Sequence, residues 1–424
     1  MLYFYAVAAR AGPSFNPGGP LLRWYTGQVA VLRYRDFRFL MGATFFNSFS
    51  YWVEQVALGW LVLSLTDSVL MVGIAYAARM VPFFFLGIPA GAVADRVNRR
   101  LFLRTLTAGI GVTWFLIAAL IMTGKVEAWH LIVLALVAGC MRAFFATTYS
   151  ALLYDIVGVR GAVTGMAWSS VVSHGAGILG AVLAGIITAT VGGGGAYLAA
   201  GASFGASLVL VMFMRESGQA APINRESVGQ NLRGALRLMR TNRVLLGLSI
   251  LTAASEAFGY SSSVILPTFA RDVLHVGPQG LGLMVAVRSG AGILGPLALS
   301  MLTSPRGLGR LLLFTTLLFG ASIVALGFVP NLLMALVVLS VLNAAGSAVD
   351  VLTKTLMQAN VPNEERGRAM GAWVMAIGIG PAGQVQIGAV AAALSVALAL
   401  TVNGAATLVI AVAVFAAMPR LRRL

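Results

Sequence analysis

Twelve stretches of about twenty apolar residues, the length a helix needs to cross a bilayer, follow one another along the chain. They lie at 39–64, 69–93, 101–123, 129–154, 162–190, 194–214, 244–269, 277–302, 309–328, 331–357, 368–392 and 395–417. Hydrocarbon offers no water to a bare backbone, so each stretch must satisfy its own peptide groups as a helix. The fold class expected is an all-α membrane protein of twelve transmembrane helices. A mean hydropathy of +0.90, with 59% hydrophobic and only 10% charged residues, excludes an ordinary soluble domain.

The formal net charge of +16 invites a nucleic-acid reading, which the placement of the charges removes. With both termini set in the cytoplasm, 23 of the 29 Lys and Arg residues fall on the cytoplasmic side, Lys125 and Arg271 fall outside, and four lie within helices. Such a bias is a topology signal. No continuous basic patch is left for nucleic acid.

The longest hydrophilic interval divides six helices from six. The expected organisation is a cytoplasmic tail at 1–36, a six-helix bundle at 37–214, a cytoplasmic central loop at 215–243, a second six-helix bundle at 244–418 and a short cytoplasmic tail at 419–424. Met1 to Ala9 is apolar but has no basic region before it, unlike a signal peptide. Within the central loop, Gln230 to Met239 is basic and amphipathic. Its apolar face can lie on the membrane with Arg233, Arg237 and Arg240 among headgroups, or the stretch can be a plain linker.

The two halves carry weak mutual similarity. Arg79 is followed by Gly87 and Pro89, and Arg288 by Gly295 and Pro296; Thr164-Gly-Met-Ala-Trp168 is echoed by Met370-Gly-Ala-Trp373. The offsets of 209 and 205 residues favour two pseudo-symmetric bundles from one duplicated unit.

Between the second and third stretches runs Gly91-Ala-Val-Ala-Asp95-Arg96-Val-Asn-Arg99-Arg100. A carboxylate here can meet the positive N-terminus of a neighbouring helix, and the arginines can reach a helix end or another carboxylate. This loop resembles the one between helices 2 and 3 of the major facilitator superfamily of secondary transporters, where it acts as a conformational latch. Further stretches are similar to the drug-export and secretion-effector branch of that superfamily, which includes enterobactin and macrolide exporters. They are Arg33-Tyr-Arg-Asp-Phe-Arg38, Gln55-Val-Ala-Leu-Gly-Trp60, Ala151-Leu-Leu-Tyr-Asp155, Leu266-Pro-Thr-Phe-Ala-Arg271 and Val361-Pro-Asn-Glu-Glu-Arg366-Gly-Arg-Ala-Met-Gly371. The resemblance implies export of small molecules driven by an ion gradient, usually of protons. It also implies a latch of Gly91, Asp95, Arg96, Arg99, Arg100 and Asp155, with Arg99 as partner of Asp155 and Asp95 facing the start of helix 11 near Gly367 and Arg368. Two features depart from the branch. The fifth stretch has Gly180-Ala-Val-Leu-Ala-Gly185 without a proline, and Tyr51 stands where relatives often carry an acid, with Glu54 one turn later.

Seven ionisable residues fall inside the apolar stretches: Glu54, Arg79, Arg142, Glu256, Arg288, Asp350 and Lys354. Each costs roughly 2.5–3.5 kcal/mol at the bilayer centre, so each needs a reason. In the facilitator fold, helices 1, 4, 7 and 10 surround the cavity and 2, 5, 8 and 11 flank it; all seven fall on these eight. By helical rise, Arg79, Arg142, Glu256 and Arg288 lie near the midplane, Glu54 in the outer half, and Asp350 and Lys354 towards the cytoplasm as an i, i+4 pair. Glu256 is either a proton carrier or the partner in a permanent salt bridge to Arg142 or Arg288. Unpaired midplane arginines would favour an anionic substrate or substituent. Trp52, Gln55, Trp168, Tyr260, Asn343, Trp373, Gln384 and Gln386 are the candidate cavity lining.

Catalytic readings fail on context. Gly201-Ala-Ser203-Phe-Gly205 lies in an apolar helix, not on a strand-to-helix turn, and no GxxxxGK[ST] phosphate loop occurs. Cys140 is the only cysteine and His130, His174 and His275 are dispersed, so neither a disulfide nor a metal site is expected, although His174 can join a proton route. The expectation is a monomeric proton antiporter of the bacterial plasma membrane, free of cofactors, that exports an amphipathic small molecule by alternating access. A proton-coupled importer and a non-transporting receptor or assembly partner on the same fold are the alternatives.

Overall fold

The computed structural model describes residues 31–94, 96–215, 228–301, 307–362 and 365–422. The first half contains α1 (Arg35–Thr66), α2 (Val69–Ala94), α3 (Arg99–Met122), α4 (Ala128–Gly158), α5 (Thr164–Thr190) and α6 (Gly193–Met212). The second contains α7 (Arg243–Val273), α8 (Gly277–Ser300), α9 (Leu308–Leu326), α10 (Leu332–Ala359), α11 (Arg366–Ala393) and α12 (Val396–Ala417). Eleven of these are long and apolar enough to cross a membrane among the described residues. The twelfth, α1, is 32 residues long and is diluted by Asn47, Tyr51, Glu54 and Gln55. At a rise of 1.5 Å per residue it extends about 48 Å, ample for a bilayer. The chain is a multi-pass membrane protein.

Helix boundaries follow local chemistry. Asn98, Asn242, Asn331 and Ser395 each cap a helix start, their side-chain oxygens accepting backbone N–H groups of Leu101, Val244 and Leu245, Met334 and Leu398 at 3.0–3.2 Å. Gly158 turns α4 into α5 at a φ of 68°, a conformation that a side chain would oppose.

The halves meet through α5 against α8 and α2 against α11. Their backbones touch there. A Cβ at Gly282 would stand 2.5 Å from the Ala181 carbonyl oxygen, and one at Gly73 would stand 2.5 Å from the Gln384 carbonyl oxygen. These contacts lie towards the ends of the helices away from the basic loops. At that face Arg271 of α7 reaches across to the Asp67 carboxylate after α1, and its Nη1 donates to the Leu63 carbonyl at 3.4 Å. Deeper in, α8 is interrupted at Gly292 and Ile293. His174 of α5 sits beside this break, its Nδ1 donating to the Ser289 carbonyl at 2.9 Å while the Ser289 hydroxyl donates to the His174 carbonyl at 3.2 Å.

Three details of the periphery go beyond the expectations. The tail assigned to residues up to 36 ends earlier, in a 3-10 turn at Val31–Arg33 with α1 starting at Arg35. The basic stretch after α6 forms a helix, Val228–Thr241, but it packs on the cytoplasm-assigned end of α11, with Leu238 buried in the core of the second half. Protein covers that part of its apolar face, and the Arg368 side chain lies against the helix at Gly234, where a Cβ would stand 3.0 Å from its Cδ. The tail at 419–424 begins with a helical turn, Pro419–Arg422, whose Leu421 is fully buried beside Gly247.

Gly282→Val should prop the halves apart where α5 and α8 touch. In a Cys140→Ser background, cysteines at positions 67 and 271 should be joined efficiently by a short bifunctional reagent. Adding Gly282→Val should cut the yield by more than half; an unchanged yield would show that the backbone contact is dispensable.

Candidate functional site

The first half concentrates charge where α1, α2 and α4 meet. Glu54 has 0% exposure and its Oε2 lies 2.7 Å from Nη1 of Arg79, itself 6% exposed. The other Arg79 nitrogen, Nη2, donates to the Gln55 side-chain oxygen and to the Tyr51 hydroxyl, the latter at 3.4 Å. The Tyr51 ring faces two guanidinium groups, with Arg79 at 4.9 Å from its centroid and Arg142 at 4.6 Å. Cation–π attraction gains strength where water is excluded. Even so, the cluster is not fully satisfied. Glu54 Oε1 and the Nε and Nη2 atoms of Arg142 are buried without a hydrogen-bond partner, each costing about 1–3 kcal/mol.

Glu54 was expected in the outer half of the membrane, above the midplane arginines. Its ion pair puts its carboxylate at the level of Arg79. Glu54 stays about one turn outward of the middle of α1, and the long Arg79 side chain spans the offset to reach it.

Between the halves lies a cavity of about 140 Å³. From the first half it is lined by Tyr51, Trp52, Gln55, Arg79 and Met80. From the second it is lined by Glu256, Tyr260, Ser261, Ser263, Arg288, Gly380 and Gln384. The second half's helices are irregular here. Glu256 sits in a π-helical turn, Ser255–Gly259, followed by the 3-10 segment Tyr260–Ile265, and α11 is interrupted at Gly378 and Ile379 just before Gly380. Single π turns recur at functional sites because they shift a side chain off the regular helical register.

Among the described residues, Glu256 makes no ion pair within 4.0 Å and no hydrogen bond. The permanent bridge to Arg142 or Arg288 is therefore not formed, because Arg142 turns to the Tyr51 and Phe204 rings and Arg288 turns its Nε to Asn343 Oδ1 at 3.3 Å. Asp350 and Lys354 of α10 pair with each other at 2.7 Å, and the lysine ammonium lies 4.1 Å from the centre of the Trp373 ring.

Several expected lining residues thus stand elsewhere. Asn343 holds Arg288 from behind, Trp373 stacks with Lys354, Gln386 donates to Asn403 at 3.2 Å, and Trp168 packs in the cluster around Phe37 and Leu153. Glu54, Arg142 and Asp350 also lie outside the lining. Trp52, Gln55, Tyr260, Gln384, Arg79, Glu256 and Arg288 are brought together. The reading from sequence missed Tyr51, Met80, Ser261, Ser263 and Gly380. Tyr51 had a signal in its place beside Trp52, one turn before Glu54; the serines had none.

On the basic face, Arg99 Nη1 meets Asp155 Oδ2 at 2.6 Å, joining the start of α3 to the end of α4. Arg100 Nη1 donates to the carbonyls of Met214 and Arg215 at 2.8 and 2.9 Å, and Arg104 Nη2 to that of Met212 at 2.7 Å. Cations here neutralise the carbonyl end of α6. These four contacts lie within the first half, and none of them crosses to the second. Gly91 falls in the last turn of α2, Arg96 is exposed, and Asp95 lies outside the described residues.

Twelve spans in two halves around a charged central cavity define a membrane transporter of the major facilitator type. The chain belongs to the transmembrane secretion effector family of that superfamily, whose model matches residues 26–423. It is 28% identical over 387 residues to the multidrug efflux pump Tap of Mycolicibacterium fortuitum, covering 88% of this chain and 93% of the relative. It is 20% identical to the staphyloferrin A transporter of Staphylococcus aureus, covering 88% and 94%. Among solved structures, the nucleoside transporter NupG superposes with a TM-score of 0.76 at 14% identity, over 90% of this chain and 99% of that one. An inward-facing, occupied bacterial homologue of the human lysosomal transporter Spinster gives 0.70 at 15% identity, over 95% and 98%. These two likenesses establish the fold.

Glu54→Gln should destabilise the protein by about 3–5 kcal/mol, because it strands the buried Arg79 charge. The double substitution Glu54→Gln, Arg79→Gln should recover much of that loss in thermal unfolding of the detergent-solubilised protein. Additive losses would show that the pair is not coupled.

Proposed function

We propose that the chain is a secondary active transporter of the bacterial plasma membrane that exports amphipathic small molecules in exchange for protons. The observation that carries the reading is Glu256: a carboxylate on an irregular turn, in a cavity lined by both halves, with no fixed partner. A carboxylate held in a permanent ion pair cannot easily exchange its proton, whereas one facing a cavity can bind and release it as the cavity changes sides. One relative supports the direction, since it is named as a multidrug efflux pump; another is named as a staphyloferrin A transporter and supports a small-molecule cargo.

Orientation rests on charge. Placing the basic loops, both termini and the Val228–Thr241 helix in the cytoplasm satisfies the positive-inside rule. The halves then touch at the outer face, through Gly282 and Gly73 and through Arg271 and Asp67. Transport would require this contact to open while the cytoplasmic ends close. In that movement Gly91, Asp95, Arg96, Arg99, Arg100 and Asp155 form the latch: the Arg99–Asp155 pair sets the ends of α3 and α4, and Asp95 engages the start of α11. A monomer contains every part of this device.

Proton-driven uptake into inverted membrane vesicles tests the reading, with lipophilic drugs, dyes and siderophores as candidate cargo. Uptake with simultaneous proton release is expected, and Glu256→Gln should abolish the gradient-driven component. Full gradient-driven flux in that variant would remove Glu256 as the carrier, and uptake only into right-side-out vesicles would reverse the direction.

Asp95→Asn should slow turnover by about fivefold, as expected for loss of about 1 kcal/mol from a charge contact, with substrate affinity unchanged. An equal loss in turnover and affinity would argue against a latch.

A further inference from the structure

Two opposite charges face the same cavity without meeting. Glu256 has no hydrogen bond or ion pair among the described residues. Arg288 uses its Nε on Asn343, and no described protein group engages its two terminal nitrogens. Both residues line the cavity. The third charged lining residue, Arg79, is already committed to Glu54, Gln55 and Tyr51. The cavity therefore offers one open carboxylate and one open guanidinium fork.

Backbone geometry keeps them apart. Glu256 is set by the π turn of α7, while Arg288 lies just before the break in α8 and is anchored by Asn343 of α10. In a poorly hydrated site, opposite charges held short of contact are each under-solvated, and a ligand carrying both complements restores what each lacks. Between and around them stand Tyr260, Trp52 and Met80, surfaces suited to an aromatic or aliphatic body.

We propose that the cavity recognises zwitterionic amphipathic molecules, with a protonated amine at Glu256 and a carboxylate or similar oxyanion in the fork of Arg288. This rests on the transport reading above and deepens it by naming the charge pattern of the cargo. A guanidinium fork holds a carboxylate through two parallel N–H donors, which a single positive charge does not match. The amine and a proton are alternative occupants of one carboxylate, so amine binding expels the proton. A molecule carrying only an anion gains nothing from Glu256 and is repelled by its ionised form. A molecule carrying only a cation leaves Arg288 unfilled.

The test is equilibrium binding to the purified full-length protein in lipid nanodiscs, with no gradient applied. The probes are Nε-dansyl-lysine, which is zwitterionic at its α-carbon, its methyl ester, which keeps only the amine, and its Nα-acetyl derivative, which keeps only the carboxylate. The zwitterion should bind at least about tenfold more tightly than either single-charge probe. Arg288→Gln should erase its advantage over the ester while leaving ester affinity unchanged, and Glu256→Gln should erase its advantage over the acetylated compound. Arg288→Lys, which keeps the charge but not the fork, should fall between wild type and Arg288→Gln.

Equal binding of all three probes by the wild-type protein overturns the proposal, as does binding of none. So does a loss of affinity for all three alike in folded variants. Because no flux is measured, these outcomes leave proton-coupled export standing; vesicles that bind the zwitterion but never move it would instead count against transport.

Discussion

A charge at hydrocarbon depth must be paired, hydrated or removed, and this constraint organises the centre of the molecule. The first half answers it internally: Glu54 and Arg79 neutralise each other, Gln55 and Tyr51 take up further donors, and the Tyr51 ring is shared with Arg142. The second half leaves the same problem open at Glu256 and Arg288, and both face the cavity. The paired cluster contributes one wall of the cavity, and the open charges at Glu256 and Arg288 are the ones on which the proposed cargo and proton sites rest.

The backbone divides in the same way. Helices α1, α2 and α4 present their charges from continuous helix, with Pro82 and Pro89 accommodated inside α2. Helices α7, α8 and α11 are each interrupted near the cavity, at Ser255–Gly259, at Gly292 and Ile293, and at Gly378 and Ile379. Irregular backbone at membrane depth is tolerated where protein or a cavity satisfies it. The bond from His174 to the Ser289 carbonyl illustrates this, since it supplies a donor beside the break in α8 and ties the two halves together there.

The helices were legible because spanning a bilayer demands about twenty apolar residues, a requirement that leaves a long, strong signal. Helix α1 carried the weakest one, since the residues that build the charge cluster lower its hydropathy. The set of buried charges could be read directly, but their pairing could not. Helical rise assigns a depth to each Cα, whereas Arg79 reaches across to Glu54. The π turn at Glu256 had no marker, as Ser255-Glu-Ala-Phe-Gly259 contains no proline. Trp168 and Trp373 resembled each other across the halves, yet one packs near Phe37 and the other under Lys354, because aromatic surface satisfies a core and a cavity equally well.

The central claim is that two halves exchange contacts on opposite faces around one charged cavity. Paired spin-label distances in nanodiscs test it most directly, in a Cys140→Ser background. One pair sits at exposed positions Leu65 and Val273 near the Arg271–Asp67 contact, the other at exposed positions Tyr154 and Gln358 on the basic face. The account predicts opposite responses as pH is lowered or Glu256→Gln is introduced: one distance lengthens as the other shortens. Distances that stay fixed, or that change together, would contradict it.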